Sequence, residues 1–139
     1  MNTSSILLPQ LALVGWTLLV LLLLPYRRFR AAFAGKVTAE DFRFGESARV
    51  PPDVTTPNRN YMNLLEAPVL FYVVGLIYQV TQLADAVAIG LAWTYVVLRI
   101  AHSLVHLTYH NVFHRLAAFA ASNAVLFLLW GKLTLACLR

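Results

Sequence analysis

Residues 6–30 read ILLPQLALVGWTLLVLLLLPYRRFR, and this stretch decides the fold. Ile6 to Leu24 carries no charged side chain. At about 1.5 Å per residue, a helix of that length spans about 30 Å, the depth of a bilayer's hydrocarbon core. Pro25 and the basic Tyr26–Arg30 close the run, as expected where a helix leaves the membrane. The run does not read as a cleavable signal peptide. Met1–Ser5 holds no positive charge, and no small-residue cleavage site follows.

Three further apolar stretches of similar length follow, so the spans read 6–24, 61–80, 86–109 and 116–137. The 139 residues are enough for one domain; 60% are hydrophobic and only 12% charged. Soluble domains carry about a quarter charged residues, and the mean hydropathy here is +0.68. The fold class is therefore an all-α integral membrane protein, an antiparallel four-transmembrane-helix bundle joined by short turns after the first loop.

That first loop, 25–60, is long, proline-containing and basic, with a short helix expected around Thr38–Phe42. Of the eleven Lys and Arg residues, seven lie between Arg27 and Arg59: Arg27, Arg28, Arg30, Lys36, Arg43, Arg49 and Arg59. A cytoplasmic membrane loop explains this excess more simply than a nucleic-acid partner, and no nucleic acid is expected. The loop containing Arg115 then faces the same side, and both termini face the other; Lys132 and Arg139, near an end, can snorkel. Cys137 is the only cysteine, so no internal disulfide forms, and its apolar setting reads as a buried thiol.

Ionisable residues inside spans are costly and point to function. Arg59, Asn63 and Glu66, at i, i+4 and i+7, fall within roughly 60° on one helical face. A guanidinium fork, an amide and a carboxylate together suit a small zwitterionic ligand. They equally suit a polar network locking helix to helix. Arg99, near the middle of the third span, must face the bundle interior, a wet cavity or an acid, and Glu66 is the natural partner.

Every histidine lies in His102–His114 (HSLVHLTYHNVFH), one at each fourth position. Arg99, His102, His106 and His110 share a face. Each step of four drifts about 40°, so the row turns about 120° over about 18 Å, too far for one ion. A pair such as His102/His106 lacks the third protein ligand that zinc sites use, and no H-E-x-x-H pattern appears. No metal is expected. His110 and His114 read as interfacial.

The arrangement Arg59-x-x-x-Asn63-x-x-Glu66-x-Pro68 opening the second span resembles the signature of the MAPEG family, the membrane-associated proteins in eicosanoid and glutathione metabolism. Arg99–His102 (RIAH) in the third span, followed by Arg115 at the head of the fourth, adds to it. The likeness covers nearly the whole chain. It implies a bacterial-type member in the inner (plasma) membrane, a homotrimer binding glutathione as co-substrate between neighbouring subunits near the cytoplasmic side. It further implies that Arg59, Asn63 and Glu66 bind glutathione, that Arg28 or Arg27 reaches it from the first helix, and that His102 and His106 contact it. Arg115 would activate the thiol, with Arg99 and Tyr109 in supporting positions. His106, Leu116 and Phe119 depart from the residues usual in prostaglandin-forming relatives, which leaves conjugation or peroxide reduction as the expected chemistry.

A guanidinium within about 4–6 Å favours a thiolate by one to a few pKa units from the free value near 8.5. The second substrate would be a small apolar electrophile or a lipid hydroperoxide arriving from the bilayer. The competing expectation is a non-enzymatic membrane protein of the same fold that binds a lipid or a partner.

Overall fold

The computed structural model describes residues 6–138; Met1–Ser5 and Arg139, including the snorkelling role expected of Arg139, lie outside the described residues. The chain is helical: α1 (Leu7–Phe33), a short 3-10 turn (Ala39–Phe42), α2 (Pro52–Leu65), α3 (Pro68–Thr81), α4 (Ala86–Leu107) and α5 (Val112–Cys137). Four helical stretches are long and apolar enough to cross a membrane, with α2 and α3 together forming the second.

The helices run further than the apolar stretches suggest. α1 does not stop at Pro25 but continues to Phe33. Pro25 removes one backbone donor, a loss that membrane helices tolerate. The extension is held from outside: Ala31 buries against Val37, Val50 and Val54, and Arg28 pairs with Glu46 at 3.2 Å. α1 then ends on Gly35 at φ 71, whose N–H donates to the Ala32 carbonyl while that of Lys36 donates to Ala31. Glycine adopts this left-handed stop without a Cβ penalty.

The basic loop is ordered around Asp41. Its carboxylate accepts from the Thr38 backbone N–H at 2.8 Å and from the Ser47 hydroxyl at 2.9 Å. These bonds, the Thr38 backbone bond first, hold the Asp41 carboxyl below its ordinary value. The short helix expected near Thr38–Phe42 is this capped 3-10 turn. α2 starts nine residues before Tyr61, with Pro52 at its first position, where no N–H is needed.

α1 packs on α2, α3 and α4, and α5 packs on α4 and α3, so α1 and α5 sit on opposite sides of the bundle. Leu13, Val20, Phe71, Val74, Tyr78, Tyr95, Val96 and Leu129 fill the centre, with Phe71 stacked on Tyr95 at 4.5 Å. In lipid, apolar burial gives little drive between helices; packing and interhelical hydrogen bonds supply it, at about 0.6–2 kcal/mol per bond. Trp16 on α1 and Asn60 on α2 both donate to the Ser103 hydroxyl of α4, at 2.8 and 2.6 Å. The Tyr78 hydroxyl donates to the Leu129 carbonyl at 3.1 Å. At the far end Lys132 pairs with Asp85, which also caps α4 through the Ala88 N–H. The Lys132 bond, followed by that cap, lowers the Asp85 carboxyl from its ordinary value.

Cys137 is exposed, contrary to the buried thiol expected, because the last turn of α5 turns that face away from the bundle.

Gln10 on α1 lies against Gly75 on α3 and donates to the Phe71 and Tyr72 carbonyls at 3.3 and 3.2 Å. A Cβ at position 75 would overlap the Gln10 amide. Gly75→Ala should therefore destabilise the bundle by about 1–3 kcal/mol in detergent melts, despite alanine's better helix propensity. In a Gln10→Ala background the same change should be neutral or stabilising. An equal loss in both backgrounds would refute the contact.

Candidate functional site

The break between α2 and α3 builds the site. Pro68 has no N–H for the Leu64 carbonyl, and here, unlike at Pro25 and Pro57, the helix breaks: α2 ends at Leu65 and Glu66 takes a non-helical ψ before α3 starts at Pro68. The last carbonyls of α2 need outside donors. Arg99 supplies one: its Nη2 donates to the Asn63 backbone carbonyl and to Asn63 Oδ1, each at 2.7 Å. Arg99 is fully buried, with the Phe119 ring 5.7 Å from its guanidinium carbon. The expected Arg99–Glu66 contact does not form. Glu66 is the C-cap of α2, exposed, and its ψ of −100 turns the chain that follows it out of the helix.

A cavity of about 520 Å³ opens beside Asn63. It is lined by Thr56, Arg59, Asn63, His102, His106, His110, Val112, Arg115, Leu116 and Phe119. Three helices thus converge: α2 brings Arg59 and Asn63, α4 brings His102 and His106, and α5 brings Arg115. Five of the residues singled out in the sequence meet here. The His102 and His106 rings lie edge to face with centroids 6.1 Å apart, and His102 is buried. Among the described residues, neither Arg59 nor Arg115 has an ion-pair partner, and no carboxylate lines the cavity.

Arg28 lies elsewhere. It pairs with Glu46, stacks on Phe42 at 4.9 Å, and lines an apolar groove along the end of α1. Tyr109 is exposed and bonds His114 through its hydroxyl, 2.9 Å from Nδ1. The histidine row therefore divides after His110, and His114 turns away.

His110, read as interfacial, lines the cavity. α4 ends at Leu107, and His110 takes a left-handed φ of 53, its N–H donating to the Val105 carbonyl at 3.0 Å. That conformation costs on the order of 1 kcal/mol for a non-glycine residue. Asn111 then caps α5, its Oδ1 accepting from the N–H groups of Phe113 and His114 at 3.0 and 3.1 Å. The tight turn sets Arg115 in the first turn of α5, where the helix's own positive end adds to its charge. Thr56 was also missed. It stands three residues before Arg59 and extends the same stripe, which only a helix starting at Pro52 reveals.

One helical turn deeper, from Asn63 to Ala67 and from Phe119 to Asn123, a second cavity of about 560 Å³ is almost wholly apolar. It is lined by Ala67, Leu70, Asn123, Leu126, Phe127 and Trp130. Among the described residues, no three His, Cys, Asp or Glu side chains gather closely enough to hold a metal ion.

A helical chain with four stretches long and apolar enough to cross a membrane, carrying a cationic cavity and an apolar one beside it, defines an integral membrane protein. The profile of the MAPEG family matches residues 6–135, and the chain belongs to that family. No curated protein and no solved structure matched the chain.

Arg59→Ala should weaken the binding of a multiply charged organic anion about tenfold or more, as expected for loss of a hydrogen bond to a charged group. The wild-type affinity should fall steeply with salt and that of the variant less so. Calorimetry across a salt series measures both. Equal salt slopes would remove Arg59 from the site.

Proposed function

We propose that this protein is a membrane-bound glutathione transferase or peroxidase acting on a small apolar electrophile or lipid hydroperoxide. The observation that carries this reading is the pairing of a cavity lined by Arg59, Asn63 and Arg115 with the apolar cavity one turn away. Glutathione brings two carboxylates, an ammonium and a thiol. Arg59 anchors a carboxylate, and Arg115, reinforced by the start of α5, stabilises the thiolate. The thiol proton leaves to a histidine of the row or to water. In conjugation the sulfur forms a bond to the electrophilic carbon as the leaving group departs with its electron pair. In peroxide reduction the thiolate attacks oxygen and the O–O bond breaks. This gives an alcohol and a sulfenic acid, which a second glutathione converts to disulfide and water.

The reading includes a homotrimer with the site completed between subunits. Glu66 is exposed on the protomer's flank, and Arg28 lies outside the cavity. A neighbouring copy is the simplest source of the missing carboxylate and of the first-helix arginine. Native mass spectrometry should find three chains per particle; a monomer that binds glutathione would refute this arrangement. The basic loop faces the cytoplasm of a bacterial inner membrane, on the evidence of its Lys/Arg excess. In a Cys137→Ser background an impermeant maleimide should then label Glu40→Cys only after lysis; labelling on intact cells would invert the topology.

Calorimetry on the purified protein should detect glutathione binding, and Arg115→Ala should lower turnover by about 10²-fold, the usual effect of removing one donor to a developing or stabilised anion. The ultraviolet absorption of the bound thiolate should fall in parallel. Absence of glutathione binding to the wild type would end the proposal, and unchanged turnover in Arg115→Ala would end the role of Arg115.

A further inference from the structure

We propose that Arg99 is a positioning residue that fixes the polarity of the cavity wall by locking the orientation of the Asn63 amide. The ligand's identity here rests on the glutathione reading; the orientation does not. Arginine offers only donors. The Asn63 oxygen, 2.7 Å from Arg99 Nη2, must therefore be the amide carbonyl, and the Asn63 NH₂ is the end left for the cavity. The same Nη2 holds the Asn63 backbone carbonyl, so the side chain is gripped at two points. Arg99 itself does not line the cavity. It acts through Asn63.

The consequence is a wall made of donors. Arg59 and Arg115 donate, Asn63 is held as a donor, and no carboxylate faces the cavity. Thr56 and the histidines can serve either way. A carboxylate or thiolate fits beside Asn63, and an ammonium does not. Glutathione's anionic groups therefore belong in this cavity. Its ammonium belongs outside, toward a carboxylate such as the exposed Glu66 or that of a neighbouring copy. Specificity at Asn63 is thus decided by a residue on a different helix that never touches the ligand.

Two substitutions separate this from a purely structural role. Asn63→Asp gives Arg99 a counter-ion but turns an acceptor toward the cavity. Arg99→Met roughly preserves volume, removes a buried charge and frees the amide to rotate. Glutathione calorimetry and thermal melts in detergent read both. Asn63→Asp should bind at least tenfold more weakly while melting at or above the wild-type temperature. Arg99→Met and Asn63→Ala should each weaken binding about tenfold, and the double variant Asn63→Ala/Arg99→Met should be no weaker than Asn63→Ala alone. Arg99→Gln, a neutral donor that can still hold the carbonyl, should keep most of the affinity and serves if Arg99→Met does not fold. Wild-type affinity in Asn63→Asp, or additive losses in the double variant, would overturn the proposal. If the wild type binds no glutathione, the functional reading fails, but the melts still decide the orientation: a clearly lower melting temperature for Asn63→Asp would show that Arg99 does not face the amide oxygen.

Discussion

Arg99 against the broken end of α2 is the constraint on which the site depends. A helix that stops inside a membrane leaves carbonyls with no water to meet them, and each such group costs several kcal/mol unless another part of the protein donates to it. Pro68 enforces the stop, and Arg99 answers it with one nitrogen shared between the main chain and side chain of Asn63. Because the guanidinium is planar and its charge delocalised, it tolerates the interior better than an ammonium. The pair ties α4 to α2 at the depth where Trp16, Asn60 and Ser103 tie α1, α2 and α4 together. Here the interior that holds the bundle together also forms the back wall of the cavity.

This arrangement separates charge across the break. On the α2 side, Arg59 and the Asn63 amide face the cavity, joined by Arg115 from α5. At the break Glu66 is exposed and lines neither cavity, and the lining becomes largely apolar from Ala67 onward. The polar and apolar chambers thus stack within about one helical turn of each other. An amphipathic pair of substrates, one anionic and one lipid-soluble, suits such a groove better than either alone.

Much of this was legible in the sequence because membranes impose simple rules. Span number, alternation and the basic loop follow from apolar length and charge placement. Arg59, Asn63, His102 and His106 could be picked out because polar residues at helical spacing stand out against an apolar background, whereas Arg115 came from the family resemblance. What escaped were effects of backbone geometry. The helical extension past Pro25 depends on Ala31 finding Val37, Val50 and Val54 across a loop. The early start of α2 was hidden by prolines that read as breakers, although Pro52 sits where a helix accepts one. The Glu66 partner expected for Arg99 is replaced by the carbonyl and side chain of Asn63, because the helix break frees backbone acceptors that spacing alone does not show. His110 enters the cavity through a left-handed turn that no spacing rule announces.

The balance of forces at Arg99 says something about purpose. A buried cation satisfied by a single residue is a poor device for stability, since apolar groups of similar volume often serve as well or better. Its Nε and Nη1 have no hydrogen-bond partner, so part of the desolvation penalty is left standing. What Arg99 supplies that an apolar residue could not is direction: a helix end completed in one orientation and an amide turned one way. A charge whose contribution to stability is so incomplete, placed directly behind a cavity wall, is best understood by what it does to the groups in front of it.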